Sequence, residues 1–75
     1  MTKFNAGIII IGDEILSGKT QDTNSNFMAK KLIDAGIQLD VIRVIHDDQQ
    51  EIIKNILDFH PKYTYVFTTG GIGPT

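Results

Sequence analysis

The sequence predicts an α/β fold, a βαβαβ parallel three-layer unit, on three observations. Strand-like and helix-like segments alternate along the chain, the first strand pattern is apolar without a break, and a polar or glycine-rich segment follows every strand. Residues 6–12 read AGIIIIG, a β-branched run between glycines, which is the pattern of a parallel strand covered on both faces. Residues 13–22 then turn polar. Over residues 23–35 the apolar positions Phe27, Met28, Leu32 and Ile33 recur at helical spacing and are expected to form its core face, with Gly36 as the left-handed stop. Residues 37–45 alternate at first, Ile37, Leu39 and Val41 against Gln38 and Asp40, which predicts a strand half exposed at its start and nearer an edge. Asp48 and Glu51 form a capping-box variant that opens a second helix, whose expected apolar stripe is Ile52, Ile53, Ile56 and Leu57 and which Pro61 cannot continue. Residues 63–69, aromatic and β-branched, are the third strand.

Composition narrows the classes of function. The chain has 75 residues, 41% hydrophobic and 21% charged, the balance of an ordinary soluble domain. A domain of this size buries only about 60% of the surface its unfolded chain exposes, so its stability by itself is marginal. A net charge of −2, with seven Lys and Arg scattered along the chain, leaves no basic footprint for nucleic acid. The lack of cysteine removes disulfides, thiolate metal sites and a thiol nucleophile, and accords with a reducing compartment. The apolar run at residues 6–11 is too short to span a bilayer, and Asp13 and Glu14 stand where a signal-peptide cleavage site needs small residues. A cytoplasmic protein with neither nucleic-acid nor membrane partners is expected.

Strands joined through helices pair in parallel, so their carboxyl ends share one edge, and ligands of open α/β sheets bind outside that edge. Residues 12–24, 46–48 and 70–75 fall there, while the turns around Gly36 and Pro61 fall at the opposite edge. In the closing TTGGIGPT, residues 68–75, Gly70, Gly71 and Gly73 let backbone N–H groups approach an anion that side chains would otherwise obstruct. Asp13 and Glu14 after the first strand, with Asp47 and Asp48 after the second, offer hard oxygen ligands suited to Mg²⁺, the expected cofactor. Asp48 also serves as a helix N-cap and Asp13 as a turn former, so Asp47 is taken as the metal-side, catalytic carboxylate. Asn24, at the start of the first helix, suits either a ligand contact or a cap of that helix.

Other tempting residues carry less. Gly12 to Thr20 reads GDEILSGKT, but five residues separate its glycines where a P-loop needs four, and two of the five are acidic. Ser17 has no visible His and Asp partners for a hydrolytic triad. His60 lies at the wrong edge, and His46, at the right one, belongs to no paired motif.

Three segments together, GDEILSG at residues 12–18, Asp22-Thr23-Asn24 and the closing TTGGIGPT, resemble the molybdopterin-binding domain family of MoaB/Mog type. Within it they are most similar to the amino-terminal domain of CinA-type competence/damage-inducible proteins. The resemblance runs from Ala6 onward. It implies an α/β domain about twice this length, oligomeric when complete, that binds a phosphate-bearing pterin or nucleotide. Gly12, Asp13 and Glu14 match its first loop, Asp47 its acidic position after the second strand, and Thr69, Gly70, Gly71, Gly73, Pro74 and Thr75 its glycine turn. In the family an acidic segment follows that turn. Residues 1–75 are therefore expected to be the N-terminal half of the domain, ending after GGIGPT and inactive alone. For the complete protein the resemblance implies Mg²⁺-dependent cleavage of the pyrophosphate of an ADP-ribose-like nucleotide. The alternatives are molybdopterin adenylyl transfer in molybdenum cofactor biosynthesis and a noncatalytic pterin- or nucleotide-binding module.

Overall fold

The computed structural model of the chain describes residues 4–19, 21–22 and 24–70, with backbone alone at Asn24. The elements are β1 (Asn5–Ile11), α1 (Asp13–Leu16), α2 (Asn24–Asp34), β2 (Gln38–Ile45), α3 (Gln49–Phe59) and β3 (Tyr65–Gly70). The three strands form one parallel sheet in the order β2-β1-β3. The βαβαβ order and the three layers are as the sequence predicts. One element was not foreseen: the polar segment after β1 begins with the single helical turn α1.

β1 lies at the centre because its sequence tolerates no exposed face. Ala6 and Ile8 to Ile11 are all buried, and complete burial of an isoleucine contributes roughly 1.5–3 kcal/mol. Alternation divides the strand between two cores. Ala6, Ile8 and Ile10 pack with Leu32 and Met28 of α2, whereas Ile9 and Ile11 pack with Ile45, Ile52 and Phe59 on the side of α3. The crossover through α2 runs from β1 to β2, and that through α3 runs back across β1 to β3. Two right-handed crossovers in opposite directions put their helices on opposite faces.

The predicted caps and stops form. Asp48 Oδ2 accepts from the Glu51 N–H at 3.0 Å and opens α3. Gly36 has φ +79°, and the Gly36 and Ile37 N–H groups donate to Ile33 and Leu32 carbonyls, closing α2. β2 is an edge strand of this sheet, exposed on alternate residues at its start.

Both predicted helix faces need correction. Phe27 and Ile33 are 63% and 67% exposed; of the four predicted positions, Met28 and Leu32 join the core under α2. The Lys31 ammonium instead lies over the Phe27 ring. On α3, Ile53, Ile56 and Leu57 are exposed, and the helix packs through Ile52, Asn55 and Phe59. Asn55 can occupy that face because its polar atoms are satisfied: Nδ2 donates to the Glu51 carbonyl at 2.7 Å, and Oδ1 accepts from Arg43 at 2.8 Å. The third strand begins two residues later than predicted. The Tyr63 N–H bonds to the Phe59 carbonyl and the Thr64 N–H to Asn5 Oδ1, so neither joins the ladder.

Two residues acquire their roles only here. Gly7 faces Phe59, and a Cβ on it would come within 2.8 Å of that ring. Asn5 donates to Asp40 and to the Lys62 carbonyl while accepting from Thr64, and so ties the amino ends of all three strands.

Gly7→Ala forces the Phe59 ring from its seat, and is expected to cost about 1–3 kcal/mol in a urea unfolding titration. The Asp40 carboxyl, bonded by Gln38 and Asn5, and the Asp58 carboxyl, bonded by Lys62 and Arg43, are both held below the ordinary value of 3.8. Their stabilising contribution is complete above that value and disappears as pH falls through the lower folded values. The urea midpoint should therefore stay level from neutral pH down to about 5 and fall below about 4. Asp40→Asn with Asp58→Asn should flatten the decline.

Candidate functional site

The register of the sheet sets the site. Ile11 is paired with Ile45 of β2 on one side and with Gly70 of β3 on the other, so the carboxyl ends of all three strands lie level. The Gly12 N–H extends the ladder by donating to the Ile45 carbonyl at 3.0 Å. Gly12, Asp13 and Glu14 leave the sheet beside His46, Asp47 and Asp48, with Thr69 and Gly70 on the far side of β1.

Gly12 is buried and extended, with Glu14 folded back over it; a Cβ at Gly12 would come within 3.1 Å of Glu14 Oε1 and of Ile15. The segment that follows satisfies four of its amides internally. The N–H groups of Leu16, Ser17, Gly18 and Lys19 donate to the carbonyls of Gly12, Asp13, Ile15 and Glu14. Those four donors of GDEILSGKT are committed within the segment and are not free to meet a phosphate.

Asp13 and His46, which the sequence does not link, meet across the two loops. His46 Nδ1 is 2.7 Å from Asp13 Oδ1, and the Asp47 N–H donates to the same oxygen at 3.1 Å. The His46 bond first and the Asp47 amide second hold the Asp13 carboxyl below its usual 3.8. An ionised carboxylate only accepts, so Nδ1 of His46 carries the proton in this bond. The pair is exposed, and its bearing is on geometry more than on stability.

Asp47 itself is exposed beside this contact. Among the described residues no three His, Cys, Asp or Glu side chains gather as a metal cage. A single carboxylate of hard oxygens suits Mg²⁺, which keeps most of its waters and takes further oxygens from substrate phosphate. Asp47 fits that role. Asn24 is the first residue of α2, and just before it the Asp22 carboxylate accepts from the Ser25 N–H and hydroxyl.

Thr69 and Gly70 end β3. Gly70 has φ +79°, and a Cβ on it would overlap the Ile11 carbonyl oxygen. Both facts restrict the position to glycine. The remaining turn positions, Gly71, Gly73, Pro74 and Thr75, lie outside the described residues.

A family model described as "Probable molybdopterin binding domain" matches residues 7–75. The chain belongs to this family. It is 49% identical over 70 residues to a protein of Caenorhabditis elegans named "Probable FAD synthase", covering 93% of this chain and 14% of that protein. It is 44% identical over 70 residues to a "CinA-like protein" of Flavobacterium psychrophilum, covering 93% of this chain and 17% of that protein. Among solved structures it is similar to CinA of Thermoplasma acidophilum, with a TM-score of 0.90 at 36% identity over 97% of this chain and 43% of that one. MoaB of Pyrococcus furiosus, a tungsten cofactor synthesizing protein, shares the fold at a TM-score of 0.82 and 22% identity, over 47% of its length. The chain thus spans less than half of either solved relative. As the resemblance implied, the chain is MoaB/Mog-like and akin to the CinA amino-terminal region. No helix among the described residues is long and apolar enough to cross a membrane.

Gly70→Ala imposes a left-handed alanine, a strain of about 1–3 kcal/mol, together with an overlap against backbone. Urea unfolding should show a loss at the upper end of that range or beyond it, larger than for alanine at Gly36, where a Cβ meets open space.

Proposed function

We propose that a full-length protein carrying this chain is a Mg²⁺-dependent enzyme cleaving the pyrophosphate of an ADP-ribose-like nucleotide. The observation that carries this reading is the level register at Ile11, which gathers the Asp13–Glu14 loop, Asp47 and the Gly70 turn at one sheet edge. In this reading Asp47 holds Mg²⁺, and Gly12, Asp13, Glu14, Asn24 and the turn from Thr69 to Thr75 contact or frame the substrate. The metal, when bound, draws charge from a phosphoryl oxygen. The chain's own contribution is a turn whose backbone accommodates phosphate oxygens and loops that fix the carboxylate beside them.

A second reading, adenylyl transfer, is favoured by the family's pterin ligand, and by the relative whose printed name is FAD synthase. Its acceptor is molybdopterin or FMN. The third reading is a module that binds pterin or nucleotide without turnover. Incubation with Mg²⁺ and ADP-ribose should release AMP and ribose 5-phosphate under the first. ATP with molybdopterin or FMN should give the adenylylated acceptor and pyrophosphate under the second. Tight binding without either product would leave the third.

Asp47→Asn should lower the Mg²⁺-dependent kcat/KM by roughly 100-fold or more while the far-UV spectrum and unfolding midpoint stay unchanged. Unaltered Mg²⁺-dependent turnover would remove Asp47 from the metal role.

A further inference from the structure

Asp13 stands in the first loop of the site, where a substrate contact would be expected, yet its carboxylate is directed at the neighbouring loop. One oxygen, Oδ1, receives both the His46 Nδ1–H at 2.7 Å and the Asp47 backbone N–H at 3.1 Å. The residues joined are 33 and 34 positions apart in the chain. The bond pair therefore connects the segment leaving β1 to the segment leaving β2, just beyond the register pair Ile11 and Ile45.

The position of Asp47 is otherwise weakly determined. It lies between the last ladder pair of β2 and the Asp48 cap of α3, and one further backbone bond, Asp48 N–H to the His46 carbonyl at 2.9 Å, tightens the turn without anchoring it to the sheet. Asp13 supplies that anchor. It bonds the amide of Asp47 itself and the ring of the residue before it, so the backbone that carries the Asp47 carboxylate is held from two adjacent points. Its own backbone is fixed in turn, since the Asp13 carbonyl accepts the Ser17 N–H within α1 and the Gly12 amide is bonded to β2.

We propose that Asp13 is a positioning residue. It clamps the His46–Asp47 segment to β1, and thereby sets where the Asp47 carboxylate stands at the sheet edge. The inference rests on the metal-side role of Asp47 proposed above, but the clamp itself is a matter of hydrogen bonds and is tested separately. Outer partners that orient a metal-side carboxylate typically change metal affinity by about 10–100-fold when removed. Asparagine keeps an oxygen acceptor at the same place, whereas alanine removes it.

The experiment uses a full-length protein carrying the chain, with Asp13→Ala, Asp13→Asn, Asp47→Asn and the double variant Asp13→Ala/Asp47→Asn. Two readouts are taken: hydrogen exchange at the Asp47 amide without metal, and affinity for Mn²⁺ as a spectroscopic substitute for Mg²⁺. Asp13→Ala is expected to speed Asp47 exchange at least about tenfold and to weaken Mn²⁺ binding by about 10–100-fold. Exchange within β1 should not change, and Asp13→Asn should recover most of both effects. The double variant should bind Mn²⁺ no more weakly than Asp47→Asn alone, because the clamp acts only through that carboxylate.

Unchanged Asp47 exchange in Asp13→Ala would overturn the clamp. Faster exchange with undiminished Mn²⁺ affinity, in a protein where Asp47→Asn does lose Mn²⁺, would overturn its positioning role. Full Mn²⁺ affinity in Asp47→Asn would instead overturn the metal role proposed for Asp47, and the exchange result would then decide the clamp by itself. If Asp13→Ala lowers exchange protection throughout β1, Asp13→Asn supplies the comparison: Asp47 exchange no slower in it than in Asp13→Ala would overturn the proposal.

Discussion

The structure depends on the burial of β1 on both faces and along both edges. Ile8 to Ile11 are hidden from water, alternate residues belong to opposite cores, and the strand is paired with β2 and β3 along its length. A one-residue slip would exchange the two cores, placing the residues that meet Leu32 against Phe59 and the reverse. Because the apolar surface resists that exchange, the register at Ile11 is fixed, and with it the level at which three loops leave the sheet. The site is thus a consequence of core packing before any polar residue is considered.

Polar contacts then refine what the sheet has gathered. At the amino edge Asn5 connects the three strands through Asp40, Lys62 and Thr64. At the carboxyl edge Asp13 connects the first two loops through His46 and Asp47. Both contacts are exposed, so water and salt weaken their energies, and their effect lies mainly in geometry. After β1, the Leu16, Ser17, Gly18 and Lys19 amides are bonded to carbonyls of the same segment.

Membership of the molybdopterin-binding family agrees with the fold, which is shared with CinA of Thermoplasma acidophilum at a TM-score of 0.90. The relatives named CinA-like and FAD synthase are much longer than the matched segment, and their names differ in the chemistry they suggest. A phosphate-bearing ligand is common to the readings derived from them. In this chain the strand-end edge sets the exposed Asp47 carboxylate and the glycine-restricted end of β3 at one level, and the fold alone does not fix the chemistry done there.

The sequence by itself determined the βαβαβ alternation, the burial of β1 on both faces, the Asp48 cap and the Gly36 stop. Each depends on neighbouring residues through period, cap chemistry or glycine conformation, and so is legible locally. It also placed Asp13, Asp47 and Gly70 at one edge, because parallel strands joined through helices share their direction. Tertiary structure decided what depends on residues far apart in the chain. Helical spacing marked Phe27, Ile33 and Leu57 as core, yet which flank of a helix meets the sheet follows from how the crossover lays it down, and these three remain exposed. Asn55 is polar, and its burial on α3 required Arg43 from strand β2 to satisfy it. Gly7 became necessary only once Phe59 was seated against it. The contact of Asp13 with His46 and Asp47 likewise spans more than thirty residues, and no spacing rule encodes it. It arises because the register brings two loops together, where a carboxylate can accept the donors beside it.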